Sequence, residues 1–202
     1  MVNRDDRGAL VLIDYVVAWI GEGEHLRLPA LAEQAAERDV VAKAAEALAA
    51  ARASGEYVVH VRLGFDPTYE VRTNRTARWD AYPNERAMLA DSPGAQIVAP
   101  LAPADGEPVL VKASVDPFIS TPLMSMLHGN GIRRITVAGV ATTLAVESTV
   151  RHAGDAGLDV TVLEDACASF SAAAHDFSVT TVLPMFAALS TVSDYVASLQ
   201  ES

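Results

Sequence analysis

The sequence predicts an α/β protein, a three-layer α/β/α sandwich around a doubly wound, mostly parallel sheet of six strands. Short aliphatic or β-branched runs alternate with longer Ala-rich segments that carry helix signals. The runs are continuously apolar, which is typical of strands buried on both faces of a parallel sheet. The chain has 202 residues, of which 50% are hydrophobic. It is therefore long enough for a single domain, 1–202, with a well-buried core.

Six runs are predicted as strands, the last with the weakest pattern: 9–14, 57–62, 108–112, 134–140, 159–165 and 188–194. Four segments between them are predicted as helical, the fourth interrupted by Pro184: 29–55, 120–131, 142–157 and 172–189. The first helical segment has Pro29 near its start and Gly55 at its end. Proline is common at the first position of a helix, and glycine is common just after the last. The stretch 63–107 is too long for a plain connection, so we expect it to carry a short helix and cover part of the site.

Composition narrows the possible partners and the compartment. The formal net charge of −11 argues against a nucleic-acid surface or an anionic membrane as partner. No apolar run approaches the roughly 20 residues of a membrane span, and the segment "MVNRDDRGALVLID" lacks the features of a signal peptide. A single cysteine, Cys167, excludes an internal disulfide framework and a cysteine-built zinc site. These observations predict a cytoplasmic protein.

Charged residues end two of the predicted strands. The first ends in Asp14, the third in Lys112, and the fourth in Gly139, which leads through a small-residue turn to Ala145. Ligands of open parallel sheets bind beyond the carboxyl ends of the strands. A buried carboxylate or ammonium is unfavourable unless it is paired or used. Asp14 and Lys112 are therefore site residues, a structural salt bridge, or charges solvated at the strand ends. The turn is either an oxyanion site or a close-packed connection.

Three segments carry a resemblance to a known family. They are "ALVLIDY", "VLVKASVDPFISTPL" and "GVATTLAVESTVRHAGDAGLDVTVLEDACAS", in this order and at matching strand ends. Together they resemble the isochorismatase-like hydrolases, or cysteine hydrolase superfamily, over nearly the whole chain. That superfamily includes nicotinamidases, N-carbamoylsarcosine amidase and ureidoacrylate amidohydrolases. The chain departs from it in "DPF" at 116–118, where relatives have a Ser-Ala-Phe-like stretch.

The resemblance implies a role for each matching residue. Asp14 would be the acid/base and Lys112 its charged partner. The bond between Val140 and Ala141 would be cis, and the amides of Ala141 and residue 145 would form an oxyanion hole. The position of the nucleophilic cysteine is occupied by Ala145. The resemblance also implies a Rossmann-like fold, a small-molecule substrate, and a homo-oligomer, either a dimer or a tetramer.

Three hypotheses account for alanine at this position. In the first, the protein hydrolyses isochorismate or another vinyl ether, a reaction in which Asp14 protonates the substrate and water attacks, so that no thiol is needed. In the second, it is an amidohydrolase of amides or ureides whose cysteine was replaced by Ala145, by natural loss or by engineering. In the third, it is a catalytically inactive protein that binds a small molecule.

The remaining candidates are substrate contacts and metal ligands. Five residues are candidate substrate contacts, with Arg62 suited to a carboxylate: Tyr15, Trp19, Arg62, Phe118 and Thr142. Trp79 and Tyr82 belong either to a lid or to a subunit contact. No cofactor is predicted. No metal is predicted either, because His60 lies inside a strand without a second histidine nearby. Three further histidines are expected at helix surfaces or helix ends, at 128, 152 and 175. Cys167 is expected to be a small buried residue rather than a nucleophile.

Overall fold

The computed structural model describes residues 7–201 and contains one parallel sheet. Its strands are β1 Ala9–Ile13, β2 Tyr57–Leu63, β3 Val109–Lys112, β4 Arg134–Gly139, β5 Asp159–Leu163 and β6 Ala188–Ser190. Their order is β3-β2-β1-β4-β5-β6, and every pair of neighbours runs parallel. The chain thus starts at the centre of the sheet, extends it to one edge, and then crosses over to build the other. This is the doubly wound topology that the sequence predicts, and the prediction is confirmed.

The central strands are buried because both faces of the sheet are covered. All five residues of β1 are buried. Successive side chains of a strand point to opposite faces, and in β1 Leu10 and Leu12 join one apolar core while Val11 and Ile13 join the other. Within residues 7–201, β3 pairs with β2 alone, at the edge of the sheet, and leaves Val109 and Val111 exposed.

Helices form the two outer layers. Their bounds are α1 Val17–Ile20, α2 Pro29–Glu37, α3 Val40–Ser54, α4 Ala77–Glu85, α5 Pro117–Ser120, α6 Leu123–Gly129, α7 Glu147–Asp155, α8 Ala172–Phe177 and α9 Val192–Gln200. Helices α2, α3 and α9 contribute buried residues to the first core, and α6 and α7 contribute them to the second. The three-layer arrangement is therefore confirmed.

The segment 29–55 is two helices rather than one continuous helix. The break falls at Asp39, which has a left-handed backbone with φ of 55°. The preceding Arg38 points away from this segment, and its guanidinium donates to the carbonyl oxygens of Cys167 and Glu164 and to the Glu164 carboxylate. These bonds tie the break to the loop that follows β5.

Two other helix predictions and one strand prediction need correction. The predicted helix 120–131 is the shorter α6, preceded by the single turn α5, whose first turn Asp116 caps by accepting from Phe118 N–H. The predicted helix 172–189 is the shorter α8, which is followed by a π-helical turn, Ser178–Val182. Pro184 falls in the 3₁₀ turn after it, and the chain then enters β6. The predicted strand 188–194 is only Ala188–Ser190, and α9 follows it. The short helix expected within 63–107 is α4.

Two predictions touch residues that the structure does not describe. Residues 1–6, part of the segment read as lacking a signal peptide, and residue 202, the predicted end of the domain, lie outside the described residues. Between residues 7 and 201 no helix combines the length and the apolarity that a membrane crossing requires.

Candidate active site

Asp14 and Lys112 form a buried ion pair at the carboxyl edge of the sheet. The Lys112 Nζ lies 2.7 Å from Asp14 Oδ2, and the two residues are 1% and 4% exposed. The Leu63 amide donates to Asp14 Oδ1 at 2.7 Å, and the ammonium also donates to the Ser114 carbonyl at 3.1 Å. The pair links the central strand β1 to the edge strand β3 across the end of β2.

Asp14 has a strained backbone conformation. Its φ of 59° lies in the left-handed region, which residues other than glycine rarely adopt. The conformation ends β1, and the Asp14 N–H still donates to the Val61 carbonyl at 2.8 Å. Strain of this kind persists only where surrounding bonds hold it, and it concentrates at functional sites.

Burial sets the proton affinity of Asp14. Removal from water disfavours the charged form and raises the pKa of Asp14 above its ordinary value. The Lys112 ammonium and the hydrogen bonds from Lys112 and Leu63 act in the opposite direction, without cancelling the effect of burial. A carboxyl group with a raised pKa keeps its proton to a higher pH than an ordinary aspartate does, which favours a role in proton transfer.

The turn after β4 forms the second part of the site. Gly139 ends the strand where a Cβ would lie 2.5 Å from the Ile13 carbonyl oxygen, so only glycine fits there without displacement. The following peptide bond, Val140–Ala141, is cis. A π-helical turn, Thr142–Val146, then leads into α7. Ala145 lies in this turn and is 3% exposed.

A cavity of about 140 Å³ opens between the ion pair and this turn. Its lining is mostly apolar and aromatic: Asp14, Trp19, Leu28, Leu31, Leu63, Arg78, Trp79, Tyr82, Lys112, Val115, Val140, Ala141, Leu144, Ala145 and Phe170. Asp14, Lys112, Val140, Ala141 and Ala145, which the sequence predicts from different parts of the chain, thus meet at one cavity. Their roles in the reaction stay predictions.

Of the five predicted substrate contacts, one lines the cavity and four do not. Trp19 lines the cavity. Arg62 does not, because Leu63 faces the cavity and the residue before it in a strand points to the other face. The Arg62 guanidinium donates to the carbonyls of Ala90 and Ala95, both at 2.9 Å, and is outside the site.

The side chains of three further candidates have partners outside the cavity lining. The Tyr15 hydroxyl donates to the Ala166 carbonyl at 2.5 Å, and Phe118 stacks on His152 with ring centroids 4.6 Å apart. The Thr142 side chain bonds His175 Nδ1 at 2.9 Å. None of the three lines the cavity.

His175 lies in the last turn of α8, one of the two places the sequence predicts for it, but it is buried. It is 1% exposed, and burial lowers its pKa. Its Nδ1 contacts Thr142 Oγ1, and its Nε2 lies 3.5 Å from Glu164 Oε2. His175 therefore packs against the start of the π-helical turn and connects it to the loop after β5.

Cys167 is not a substitute nucleophile. It is fully buried in the core on the α6/α7 side of the sheet and does not line the cavity. Burial raises the pKa of its thiol to about 12, so the reactive thiolate is scarce at neutral pH. Among residues 7–201 no three His, Cys, Asp or Glu side chains are grouped so as to hold a metal.

The sequence missed several cavity residues. Arg78 comes from α4 and Phe170 from the loop after β5, and the guanidinium lies over the Phe170 ring at 5.5 Å from its centroid. Leu28, Leu31 and Val115 complete the apolar wall. No periodicity or motif marks these positions. The excursion 63–107 does cover the site through α4, which brings Trp79 and Tyr82 to the cavity wall.

Known proteins resemble this chain in sequence. The Isochorismatase domain family matches residues 8–194. A ureidoacrylate amidohydrolase RutB from Methylorubrum extorquens is 33% identical over 158 residues, which are 72% of this chain and 63% of that protein. The chain thus spans less than two thirds of that relative's length. The RutB protein of an Enterobacter species is 31% identical over 203 residues, covering 93% of this chain and 86% of the relative.

A solved structure shares the fold. The cysteine hydrolase from Pseudomonas syringae pv. phaseolicola superposes with a TM-score of 0.85 at 23% identity. The match covers 99% of this chain and 95% of the other.

Proposed function

The chain belongs to the isochorismatase family of hydrolases, and from this premise we propose that it hydrolyses a small molecule without a covalent intermediate. The observation that carries the proposal is the composition of the cavity. Its wall holds the Asp14–Lys112 pair but places a methyl group at position 145 and includes no Ser, Thr or Cys side chain. The Tyr82 phenol is a poor nucleophile, because burial raises its pKa. Water is therefore the attacking group in the proposed reaction.

Asp14 is the proton carrier in this proposal. With a vinyl ether as substrate, protonated Asp14 gives its proton to the terminal alkene carbon, which leaves an oxocarbenium ion. Water adds to the cationic carbon and returns a proton to the Asp14 carboxylate. The resulting hemiketal breaks its C–O bond and releases a ketone and an alcohol. Lys112 stabilises the carboxylate form of Asp14 between the two proton transfers.

The test is turnover of isochorismate and of other vinyl ethers by the wild type and by Asp14→Asn. We expect the variant to lose at least about 10²-fold in kcat/KM, since asparagine neither gives nor takes the proton. Asp91→Asn is the matched control, because Asp91 is an exposed carboxylate away from the cavity. Equal activity of wild type and Asp14→Asn would refute the proposal.

The second candidate is hydrolysis of a C–N bond in an amide or ureide. It is supported by relatives at 31–33% identity that are named ureidoacrylate amidohydrolase. In that chemistry a cysteine at position 145 attacks the carbonyl carbon, the amine leaves with a proton from Asp14, and water releases the acid. With Ala145 at this position, the chain lacks the attacking group of that reaction.

Ala145→Cys separates the two candidates. Assayed against ureidoacrylate and a panel of small amides, a gain of activity only in the cysteine variant would favour the amidohydrolase. Turnover by the alanine form that depends on Asp14 would favour the non-covalent reaction. If neither form turns over any substrate although a ligand binds, both candidates fail and the protein is a binder.

A further inference from the structure

The cavity contains an amine that the proposed hydrolysis uses only for its charge. Lys112 lines the cavity wall and is buried. Of the 15 residues that are lysine or arginine, only Lys43 and Lys112 are lysines. Arginine is the better residue for a purely structural ion pair, because it stays charged and binds a carboxylate with two hydrogen bonds. A lysine can instead lose its proton and attack carbon, so the position of Lys112 suits a reacting group.

The group that can accept the proton of Lys112 is in direct contact with it. Asp14 Oδ2 lies 2.7 Å from Nζ, and the Ser114 carbonyl, 3.1 Å from Nζ, holds the amine from another side. Burial raises the pKa of Asp14, so its carboxylate takes up a proton more readily than an ordinary aspartate does. Transfer of one proton from Nζ to Oδ2 turns two buried charges into a neutral amine beside a neutral carboxylic acid. The amine then has a free electron pair.

The rest of the cavity favours an uncharged, apolar partner for this amine. The cavity volume of about 140 Å³ is comparable to the roughly 150 Å³ that holds one benzene molecule. Leu31, Trp79 and Phe170 contribute an apolar and aromatic wall. Ala145 places only a methyl group in the lining, so it offers no nucleophile that would compete with Nζ.

We propose that Lys112 forms a Schiff base with the carbonyl group of a small uncharged ketone or aldehyde, and that Asp14 carries the protons of this reaction. Nζ attacks the carbonyl carbon, Asp14 gives a proton to the carbonyl oxygen, and the attacking nitrogen returns a proton to Asp14. The hydroxyl of the resulting carbinolamine takes a proton from Asp14 and leaves as water, so that an iminium ion forms. The ammonium and the ketone have then become an iminium ion and water, and Asp14 is again a carboxylate.

Charge conservation makes this reaction suitable for a buried site. The iminium ion has the same single positive charge as the ammonium and stays beside the Asp14 carboxylate, so no additional charge is buried. An iminium ion also acidifies the C–H bonds of the neighbouring carbon. Asp14 can accept such a proton, which leaves a neutral enamine, and the reverse step gives the carbon a proton that has exchanged with solvent. The expected activity is therefore exchange of the α-hydrogens of a ketone with water, which requires no vinyl ether.

The test is reductive trapping of the wild type with cyclohexanone and sodium cyanoborohydride, followed by peptide mapping by mass spectrometry. The reagent reduces a Schiff base to a stable secondary amine, so the labelled residue carries one cyclohexyl group. We expect Lys112 to be labelled at least about tenfold faster than Lys43. Lys43 is a control within the same chain, because its side chain is 37% exposed, pairs with Asp165 and does not line the cavity. Cyclohexanol, which has nearly the same shape but no carbonyl group, should slow the labelling of Lys112 by competition.

Variants separate the roles of the two residues. Asp14→Asn should slow the labelling of Lys112 by about 10²-fold, since asparagine does not carry the proton. Lys43→Arg should leave the labelling of Lys112 unchanged. Deuterium uptake by cyclohexanone in D₂O, followed by proton NMR, should depend on the wild-type protein and be lost in Lys112→Arg. The site of labelling is assigned in the wild type, so that result does not require a variant at position 112 to fold.

Four results would overturn the proposed Schiff base. They are labelling of Lys112 no faster than that of Lys43, no competition by cyclohexanol, equal labelling in Asp14→Asn, and no deuterium uptake above that with Lys112→Arg. Turnover of a vinyl ether without labelling of Lys112 would refute the Schiff base and leave the proposed hydrolysis standing. Labelling of Lys112 without turnover of any vinyl ether would do the reverse.

Discussion

The methyl group of Ala145 faces a cavity that also contains a buried carboxylate and a buried ammonium. A thiol at this position would sit beside Lys112, and a nearby cation stabilises a thiolate. The chain's own thiol, Cys167, has the opposite surroundings, since it is enclosed by apolar side chains. The two positions therefore differ in their electrostatics, although both lie near the carboxyl edge of the sheet.

We predict that the folded wild type does not react with a thiol reagent such as dithiobisnitrobenzoate at neutral pH, because Cys167 is buried and its pKa is raised to about 12. Ala145→Cys should react at one thiol per chain. The measurement is the absorbance of the released thiolate against time, with the unfolded protein as the reference for complete reaction. Rapid labelling of Cys167 in the folded wild type would contradict this account.

Residue type and strand position were enough to find the buried Asp14–Lys112 ion pair. Asp14 and Lys112 each end an apolar run, and parallel strands bring their carboxyl ends to one edge. Arg62 also stands near a strand end, but the alternation of side chains directs it to the opposite face. The sequence does not predict that Arg78 and Phe170 line the cavity. Their positions depend on the way in which the long connections fold over the sheet, and no local pattern marks them.

At the scale of elements, the site depends on how closely β4 approaches β1. Gly139 pairs with Ile13, and a Cβ at Gly139 would lie 2.5 Å from the Ile13 carbonyl oxygen and 2.8 Å from its Cβ. The same residue begins the turn that carries Ala141 and Ala145. Close contact between the two strands therefore positions the turn against Asp14.

We predict that Gly139→Ala destabilises the protein by roughly 1–3 kcal/mol, since backbone atoms have to move to admit the methyl group. Gly129→Ala is the control. Its added methyl would meet nothing within 4 Å, and Gly129 is the last residue of α6, so this change should be neutral or stabilising by a few tenths of a kcal/mol or more. Urea unfolding monitored by circular dichroism gives both values. Equal midpoints for the two variants would contradict the argument.

Boundaries of elements were less predictable than their existence. The apolar runs of β1, β2 and β4 are long enough to identify by pattern alone. The break at Asp39 has no such signal, because it depends on bonds from Arg38 to a loop more than a hundred residues away in sequence. The end of the helix near Pro184 was predictable, whereas the strand that follows is only three residues long.

The whole molecule has an acid-sensitive cluster at the opposite end of the sheet from the site. The Glu107 carboxylate bonds Arg52 at 2.7 and 2.8 Å, His60 Nε2 at 2.9 Å and the Ala104 amide at 2.9 Å. Chiefly through its bond to Arg52, the pKa of Glu107 falls from 4.5 to about 2. A carboxylate with a lowered pKa contributes stability that is present above its ordinary pKa and lost as the pH falls toward its lowered value.

We predict that Glu107→Gln lowers the free energy of unfolding at pH 7 by roughly 1–3 kcal/mol, because charge-assisted bonds are replaced by neutral ones. The difference from wild type should shrink as the pH is lowered from about 4.5 toward about 2. Melting temperatures of both proteins across this range provide the measurement. A difference that stays constant with pH would show that the charge of Glu107 is not responsible.

The edge position of β3 has a consequence for how the protein loses activity. Lys112 belongs to a strand with one hydrogen-bonded neighbour, whereas Asp14 ends the strand at the centre of the sheet. Edge strands open locally at a lower free energy than central ones. We therefore predict faster amide hydrogen exchange in β3 than in β1. The measurement is mass spectrometry in mild denaturant, and equal exchange rates in the two strands would contradict the prediction. A brief separation of the outermost strand would part the ammonium from its carboxylate while the remaining sheet stays intact, so inactivation should precede global unfolding.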